Sequence, residues 1–176
     1  MVFYAFTEMV SGRLAVLVFT FDGRIYIMIA LACDHGGFEL MQKIKVYLDD
    51  NGFQYTDFGT YSLDSCDYPD FSTPACLAIT GDVCMRGIFV CGTGIGMSIA
   101  ANKMPGIRAG LCHCVFTAEM TRAHNDANVL CLGARVLEPE LALQIVHTFL
   151  CTEFEGGRHQ TRVMKLNALD GLESIH

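Results

Sequence analysis

Residues 86–96 read RGIFVCGTGIG, and this stretch decides how the chain folds. Residues 86–91 are expected to form a strand buried on both faces of a parallel sheet, because a short apolar run follows Arg86. Three glycines at alternate positions then allow the backbone to turn tightly and to approach a ligand closely. A helix is expected over residues 97–103, and the unpaired N–H groups at its start attract anions. The stretch therefore predicts a strand, a turn able to bind a ligand, and a helix.

The spacing of the glycines limits what the turn could bind. Gly92, Gly94 and Gly96 lack the Gly-x-Gly-x-x-Gly spacing of dinucleotide-binding turns, and the Gly-Lys-Ser/Thr of a P-loop does not follow. A phosphate or an enediolate oxygen would fit, and a tight turn without a ligand is the alternative. Cys91 lies directly before the turn, where the helix dipole favours a thiolate, so we expect a nucleophile or a general base. A cysteine that only packs is the alternative.

Strands and helices alternate on both sides of this stretch. Further strands are expected at residues 26–32, 54–58, 107–112 and 129–132. Further helices are expected at residues 38–50, 69–80, 116–124, 138–150 and 160–169. This alternation predicts βαβ units, and hence an α/β fold with a parallel sheet and right-handed crossovers. The carboxyl ends of the parallel strands should meet at one edge, where ligands bind in open α/β sheets.

Composition restricts the class of protein. The chain has 176 residues, which suits a single domain with a sizeable core. Its formal net charge of −7 argues against non-specific binding to nucleic acid, which needs a basic surface. With 52% hydrophobic and 18% charged residues, the chain also lacks the balance that is typical of disorder.

Nine cysteines occur without any Cys-x-x-Cys pair, which favours a reducing compartment such as the cytoplasm. Cys112-His113-Cys114 matches no common zinc spacing, and no second pair accompanies it, so we predict no metal site there. Most of the thiols are expected to be small buried apolar groups.

The first 27 residues form a leader that the α/β pattern does not explain. The apolar run at residues 14–21 is too short to span a bilayer, which needs about 20 residues. We interpret the leader as neither a signal peptide nor a membrane anchor. Asp22-Gly23 predicts a hairpin that pairs residues 14–21 with 24–32, and a non-native or optional leader is the alternative. Residues 28–169 would then form the domain, and residues 170–176 a tail.

Three further groups of residues could carry chemistry at the sheet edge. Asp34 and His35 follow the first strand of the domain, although Asp34 could simply cap a helix. His124 follows a helix and is of the residue type that most often acts as an acid or base, with a histidine facing the helix dipole as the alternative. Arg158 and Arg162 are four residues apart on one helical face and could clamp a phosphate, or could form a solvated surface.

Several ordered strings together resemble one family, the type B ribose-5-phosphate isomerases with their relatives the galactose-6-phosphate and allose-6-phosphate isomerases. The resemblance extends from about residue 28 to about residue 169. The strings that carry it are CDHGGF at 33–38, DFGT at 57–60, DYPD at 67–70, CGTGIGMSIAANK at 91–103, GIRA at 106–109, HNDANVL at 124–130, GARV at 133–136 and EFEGGRHQ at 153–160.

The resemblance implies a flavodoxin-like three-layer sandwich with a five-stranded parallel sheet. It also implies a homodimer with the active site between subunits, with a tetramer as an alternative assembly. The expected partner is a small sugar phosphate, and neither nucleic acid nor a membrane is expected. The reaction would be the ribose 5-phosphate to ribulose 5-phosphate interconversion of the pentose phosphate pathway, which requires no cofactor and no metal.

Roles for individual residues follow from the same resemblance. Cys91 resembles the base that moves a proton between C2 and C1, and His124 resembles the group that opens the furanose ring. Asp34 would assist near the ring oxygen, and Thr93 would hold the substrate and the enediolate together with the loop amides. The residues that would bind the substrate are His35, Gly92, Gly94, Ile95, Gly96, Asn125, Arg135, Arg158 and Arg162.

Two departures from the family pattern stand out within the domain. Some bacterial relatives place a glutamate in the glycine loop, and this chain has Met97 there, which fits the version with a cysteine base. Cys114 replaces an aspartate that often follows Cys-His in the family, outside the catalytic set. A hexose 6-phosphate isomerase of the same family is the nearest alternative function. A flavodoxin-like sensor without catalysis is the other, although a sensor would not need to keep a base.

Overall fold

The computed structural model describes residues 4–10, 13–19 and 27–171, which contain seven strands and six helices. The strands are β1 (Tyr4–Val10), β2 (Arg13–Phe19), β3 (Met28–Cys33), β4 (Gln54–Asp57), β5 (Arg86–Cys91), β6 (Ala109–Leu111) and β7 (Val129–Gly133). The helices are α1 (Phe38–Asp50), α2 (Tyr68–Thr80), α3 (Ile95–Ala101), α4 (Val115–Ala123), α5 (Pro139–Cys151) and α6 (Arg158–Asn167), with a 3-10 turn at Ala168–Gly171.

Strands β3 to β7 form one parallel sheet in the order β4-β3-β5-β7-β6. Helices α1, α4 and α5 contribute to the apolar core on one face, and α2 and α3 contribute to the core on the other. The predicted flavodoxin-like sandwich of three layers is therefore confirmed. Counted from β3, the strand order is 2-1-3-5-4, so the last two strands exchange places relative to the 2-1-3-4-5 order of flavodoxin.

The central strand β5 contributes to both cores because successive side chains on a strand point to opposite faces. Ile88 and Val90 pack on the side of α1 and α5, whereas Phe89 and Cys91 pack on the side of α2 and α3. Every residue of β5 is buried, which explains why its sequence after Arg86 is apolar and does not alternate. The buried guanidinium of Arg86 donates to the carbonyl oxygens of Phe149 and Leu150.

The connections around β5 create the crevices in which a ligand could bind. The chain continues from β5 into α3 on one face of the sheet, whereas β3 and β7 on either side of it continue into α1 and α5 on the other face. Neighbouring strands whose connections leave on opposite faces open a crevice at their carboxyl ends. The loops after β3, β5 and β7 consequently surround one region of the sheet edge.

The N-terminal strands correct one prediction. Strand β2 pairs with β1 in an antiparallel hairpin, with Tyr4 opposite Phe19 and Val10 opposite Arg13. The predicted pairing of residues 14–21 with 24–32 is wrong, because β3 already pairs with β4 along one edge and with β5 along the other. The predicted Asp22-Gly23 turn lies outside the described residues. Within the described part of the chain, no helix combines the length and hydrophobicity needed to cross a bilayer.

Candidate active site

Cys91 is the last residue of β5, and its thiol receives a hydrogen bond from the glycine loop. The side chain is 4% exposed and belongs to the core beneath α2 and α3. The backbone N–H of Gly94 donates to Cys91 Sγ at 3.1 Å. This amide is a polar contact of the sulfur within an otherwise apolar core. The predicted proximity of Cys91 to the loop is therefore confirmed as a direct contact.

Packing explains why two of the loop positions are glycines. Gly94 has φ +77°, and a Cβ there would lie 2.5 Å from Leu111 Cδ1. A Cβ on Gly96 would lie 2.8 Å from the ring of Tyr68. Helix α3 begins at Ile95, two residues before the predicted start, directly after Gly94 as its N-cap. The tight turn is thus required by the protein itself, whether or not a ligand binds.

Arg135 lies against the first glycine of the loop. Its backbone N–H donates to the carbonyl oxygen of Gly92 at 2.9 Å, and a Cβ on Gly92 would lie 3.3 Å from the guanidinium carbon. Arg135 also lines a cavity of about 490 Å³ together with His35 and Lys43. Glu39 and Glu138 line the same cavity, so its charged groups are of both signs.

His35 is oriented by the backbone of a neighbouring loop. The N–H of Cys66 donates to His35 Nδ1 at 3.2 Å, so in the neutral ring Nδ1 is the acceptor and Nε2 carries the proton. The ring therefore offers an N–H donor at Nε2, which suits an anionic oxygen.

Asp34 and Thr93 both stabilise turns at this edge. Asp34 is 7% exposed, and its Oδ1 accepts a hydrogen bond from the N–H of Gly37 at 3.0 Å, which closes the turn before α1. Thr93 Oγ1 accepts a hydrogen bond from the N–H of Ile95 at 3.4 Å, so the hydroxyl still carries a proton to donate. A Cβ on Gly36 would lie 3.1 Å from the nitrogen of Gly92, which shows that the loops after β3 and β5 touch.

His124 belongs to a second group of residues, at the C-terminal end of α4. Its ring stacks on that of His159 with centroids 4.1 Å apart and an interplanar angle of 3°. His124 Nε2 and His159 Nε2 each lie 3.7 Å from Glu155 Oε2. Arg158 Nε donates to His159 Nε2 at 3.3 Å. Burial lowers the pKa of His159, and the charges of His124, Arg158 and Arg162 lower this pKa further.

The other predicted residues lie beside this histidine pair. Arg158 and Arg162 are both exposed in the first turns of α6, on one helical face as predicted. Asn125 follows His124 and lines a cavity of about 330 Å³ with Arg108. The carbonyl oxygen of Asn125 accepts a hydrogen bond from Arg108 Nε at 3.2 Å.

The contacts place the predicted residues in two groups. The first lies around β3, β5 and β7, and the second lies between α4 and α6. Glu155 and His159 join the second group, although the sequence analysis assigned them no role. The N–H of Glu155 donates to the carbonyl oxygen of Ala123 at 3.0 Å, and this long-range bond brings the segment beside His124. Only their presence in the string EFEGGRHQ could have indicated them.

The fold defines an α/β protein whose predicted site residues lie partly at the carboxyl edge of a parallel sheet. A family model described as Ribose/Galactose Isomerase matches residues 29–166, and the chain belongs to this family.

Individual relatives agree with this assignment. Ribose-5-phosphate isomerase B of Escherichia coli (strain K12) is 46% identical over 142 residues, which cover 81% of this chain and 95% of that protein. The putative sugar phosphate isomerase YwlF of Bacillus subtilis (strain 168) is 47% identical over 140 residues, 79% of this chain and 94% of its own length. The solved structure of Clostridium thermocellum ribose-5-phosphate isomerase B has a TM-score of 0.81 and 49% identity, covering 82% of this chain and 97% of that one.

Proposed function

We propose that this protein interconverts ribose 5-phosphate and ribulose 5-phosphate through an enediolate, with Cys91 as the base. Membership of the family makes the chain an aldose–ketose isomerase. Relatives of similar length that are named ribose-5-phosphate isomerase B support ribose 5-phosphate as the substrate. The observation that carries the mechanism is the hydrogen bond from the N–H of Gly94 to Cys91 Sγ.

Ring opening comes first, because ribose 5-phosphate exists mainly as a closed furanose. His124 transfers the proton that converts the ring hemiacetal into the open aldehyde, since an imidazole is suited to acid and base roles near pH 7. Its ring is held by stacking on His159 and by the carboxylate of Glu155. Asp34 assists at the ring oxygen.

The proton transfer then proceeds in two steps. The thiolate of Cys91 removes the proton from C2, the C2–H electron pair forms the C1–C2 double bond, and O1 becomes the enediolate oxygen. The hydroxyl proton then moves from O2 to O1, which makes O1 a hydroxyl group. As C2 becomes the ketone, the C1–C2 double-bond electrons take the proton back from the thiol at C1, so Cys91 ends as a thiolate. Hydroxyl and amide donors at Thr93 and Gly92–Gly96 stabilise the enediolate, where fixed donors contribute most.

The phosphate is bound by cationic and N–H donors from both groups of residues. His35 and Arg135 belong to the first group, and Arg158 and Arg162 belong to the second. We propose that two copies of the chain form a homodimer in the cytoplasm, and that the first group of one copy faces the second group of the other to complete each site. The domain that does so comprises residues 28–169.

A hexose 6-phosphate isomerase is the second candidate, because the family description also includes galactose. A coupled assay with ribose 5-phosphate, allose 6-phosphate and galactose 6-phosphate in D₂O separates the candidates. We expect the highest kcat/KM with ribose 5-phosphate, and deuterium at C1 of the ribulose 5-phosphate formed. A higher kcat/KM with a hexose phosphate would make that sugar the substrate in place of ribose 5-phosphate. No turnover with any of the three would favour a sensor without catalysis. A product without deuterium would count against a base that exchanges with solvent.

The phosphate clamp is tested by Arg158→Ala combined with Arg162→Ala. Both side chains are exposed, so the variant should fold normally. We expect KM for ribose 5-phosphate to rise by roughly tenfold or more, because a charged hydrogen bond contributes about 1.5–3 kcal/mol. Lys165→Ala is the matched control, since Lys165 is an exposed cation on the same helix. An unchanged KM in the double variant, or an equal rise of KM in the control, would contradict the proposed phosphate clamp.

A further inference from the structure

Two imidazoles and one carboxylate converge at the surface between α4 and α6. His124 Nε2 and His159 Nε2 each lie 3.7 Å from Glu155 Oε2, and the three ligand atoms lie within 4.8 Å of one another. In the part of the chain that the structure describes, this is the one group of three His, Cys, Asp or Glu side chains with such proximity. Cys112 and Cys114, which the sequence analysis rejected as zinc ligands, are not members.

We propose that His124, Glu155 and His159 bind a divalent transition-metal ion, with zinc as the preferred ion. Two nitrogen ligands and one carboxylate oxygen, with a fourth position for water, form a donor set that zinc uses in proteins. Imidazole ligands favour zinc, copper, nickel and cobalt over magnesium and calcium, which prefer oxygen.

The distances require only a small adjustment for binding. Tetrahedral zinc with bonds of about 2.0–2.1 Å places its ligand atoms about 3.3 Å apart. The observed 3.7 Å between each histidine nitrogen and the carboxylate oxygen is a few tenths of an ångström longer. Glu155 is 58% exposed and His124 is 35% exposed, so both side chains can move and solvent can reach them. His159 is 5% exposed and supplies a fixed ligand.

Two features of the metal-free arrangement must change. The imidazole rings are parallel, so the ring of His124 has to tilt for both Nε2 lone pairs to point at one ion. Arg158 Nε donates to His159 Nε2 and has to release it. Arg158 is exposed at the start of α6, so its side chain can turn towards solvent. Metal binding and this hydrogen bond are therefore mutually exclusive.

Binding of zinc would inhibit turnover, and this consequence rests on the proposed function. A metal ion on His124 Nε2 occupies the lone pair that ring opening uses, so the histidine can no longer transfer a proton there. The ion would also separate Arg158 from His159 and change where the guanidinium of Arg158 points. We therefore expect a reversible inhibitory site and not a site that supports catalysis.

Calorimetric titration of the full chain with ZnCl₂ tests the site without using the reaction. Exposed thiols also bind zinc, so the titration uses a background of Cys114→Ser and Cys151→Ser, the two exposed cysteines among the described residues. We expect one zinc per chain, and an affinity lowered at least tenfold by Glu155→Gln. Glu153→Gln is the matched control, since Glu153 is an exposed glutamate two residues away that pairs with Arg86. It should bind zinc as the background protein does.

The outcomes separate the metal site from the proposed reaction. No binding at one equivalent, or equal affinity in Glu155→Gln and in the control, would overturn the metal site. In the isomerase assay, zinc should inhibit the background protein, and a chelator should restore its activity. Glu155→Gln should need at least tenfold more zinc for the same fractional loss of its own activity. Binding that depends on Glu155 but leaves turnover unchanged would support the metal site and overturn the role of His124 in ring opening.

Discussion

Cys33 and Cys91 are the last residues of neighbouring parallel strands, yet their thiols lie on opposite faces of the sheet. Cys33 is paired in register with Val90, so Cys91 is one residue further along and points to the other face of the sheet. Cys33 packs in the core with α1 and α5, and burial, followed by the charge of Asp57, raises its pKa to about 12. Cys91 packs beneath α2 and α3 and accepts the N–H of Gly94.

The comparison teaches that the face of the sheet decides which loop each thiol contacts. Both thiols are buried and near a backbone donor, but at Cys33 the hydrogen bond from the backbone of Thr60 lowers the pKa by less than burial raises it. The connection from β5 to α3 supplies such a donor on one face. The connection from β3 to α1 directs its polar turn to the carboxylate of Asp34 instead, through the N–H of Gly37.

The largest expected effect comes from replacing the two cysteines separately. Cys91→Ala should reduce kcat by roughly 10²–10⁴-fold, because a positioned base contributes about this much. Ribose 5-phosphate should still bind, as measured by calorimetry. Cys33→Ala, the matched control, should keep kcat within about threefold and lose about 1–2 kcal/mol in the free energy of unfolding, as is usual for a small truncation in a core. Near-normal turnover in Cys91→Ala would exclude it as the base.

The next effect concerns the amide that distinguishes Cys91. Gly94→Ala should lower the free energy of unfolding by about 2–5 kcal/mol, because a left-handed φ costs about 1–2 and overpacking about 1–3. Its Cβ would lie 2.5 Å from Leu111 Cδ1. Any displacement of the loop moves the amide from Cys91 Sγ, so kcat should fall by at least tenfold.

Gly52→Ala is the control for this backbone effect. Gly52 has φ +73°, and a Cβ there would meet no atom within 4 Å. Gly52→Ala should lower the free energy of unfolding by only about 1–2 kcal/mol and leave kcat unchanged, because it adds left-handed strain without overpacking. Equal stability and equal activity in the two variants, measured by urea unfolding and by the isomerase assay, would contradict the packing argument for the loop.

The smallest expected effect is the pH dependence of stability that arises from the raised pKa of Cys33. Its folded pKa of about 12 lies above the ordinary value of 9.0, so the folded state disfavours the thiolate. The corresponding stabilisation is complete below pH 9 and is lost as the pH rises towards 12. The free energy of unfolding should therefore fall above pH 9, with Cys33 contributing about 1.4 kcal/mol per pH unit.

Urea unfolding between pH 8 and pH 10.5 measures this dependence. In Cys33→Ala the decline above pH 9 should be shallower by about 1.4 kcal/mol per pH unit. Cys76→Ala should have a similar effect, since burial also raises the pKa of Cys76 to about 12. An unchanged slope in Cys33→Ala would contradict the burial of its thiol.

Much of the fold could be predicted from local pattern. Helix α1 begins and ends where the periodicity predicted, and β5 has its predicted bounds, because apolar periodicity and glycines act over a few residues. Strand β6 is three residues long and not six, since an edge strand pairs along one side only. The prediction that residues 14–21 pair with 24–32 was wrong, because the local turn signal at Asp22-Gly23 does not determine which strand pairs with β2.

The sequence by itself determined the α/β class, the strand ends at which site residues are predicted, and the strings that resemble the isomerase family. Only the tertiary structure decided the strand order 2-1-3-5-4, the division of the site residues into two groups, and the contact of His124 with Glu155 and His159. The physical reason is the distance along the chain over which each interaction acts. Periodicity and turns depend on neighbouring residues, whereas strand pairing and the bond from Glu155 to Ala123 depend on segments far apart in the chain.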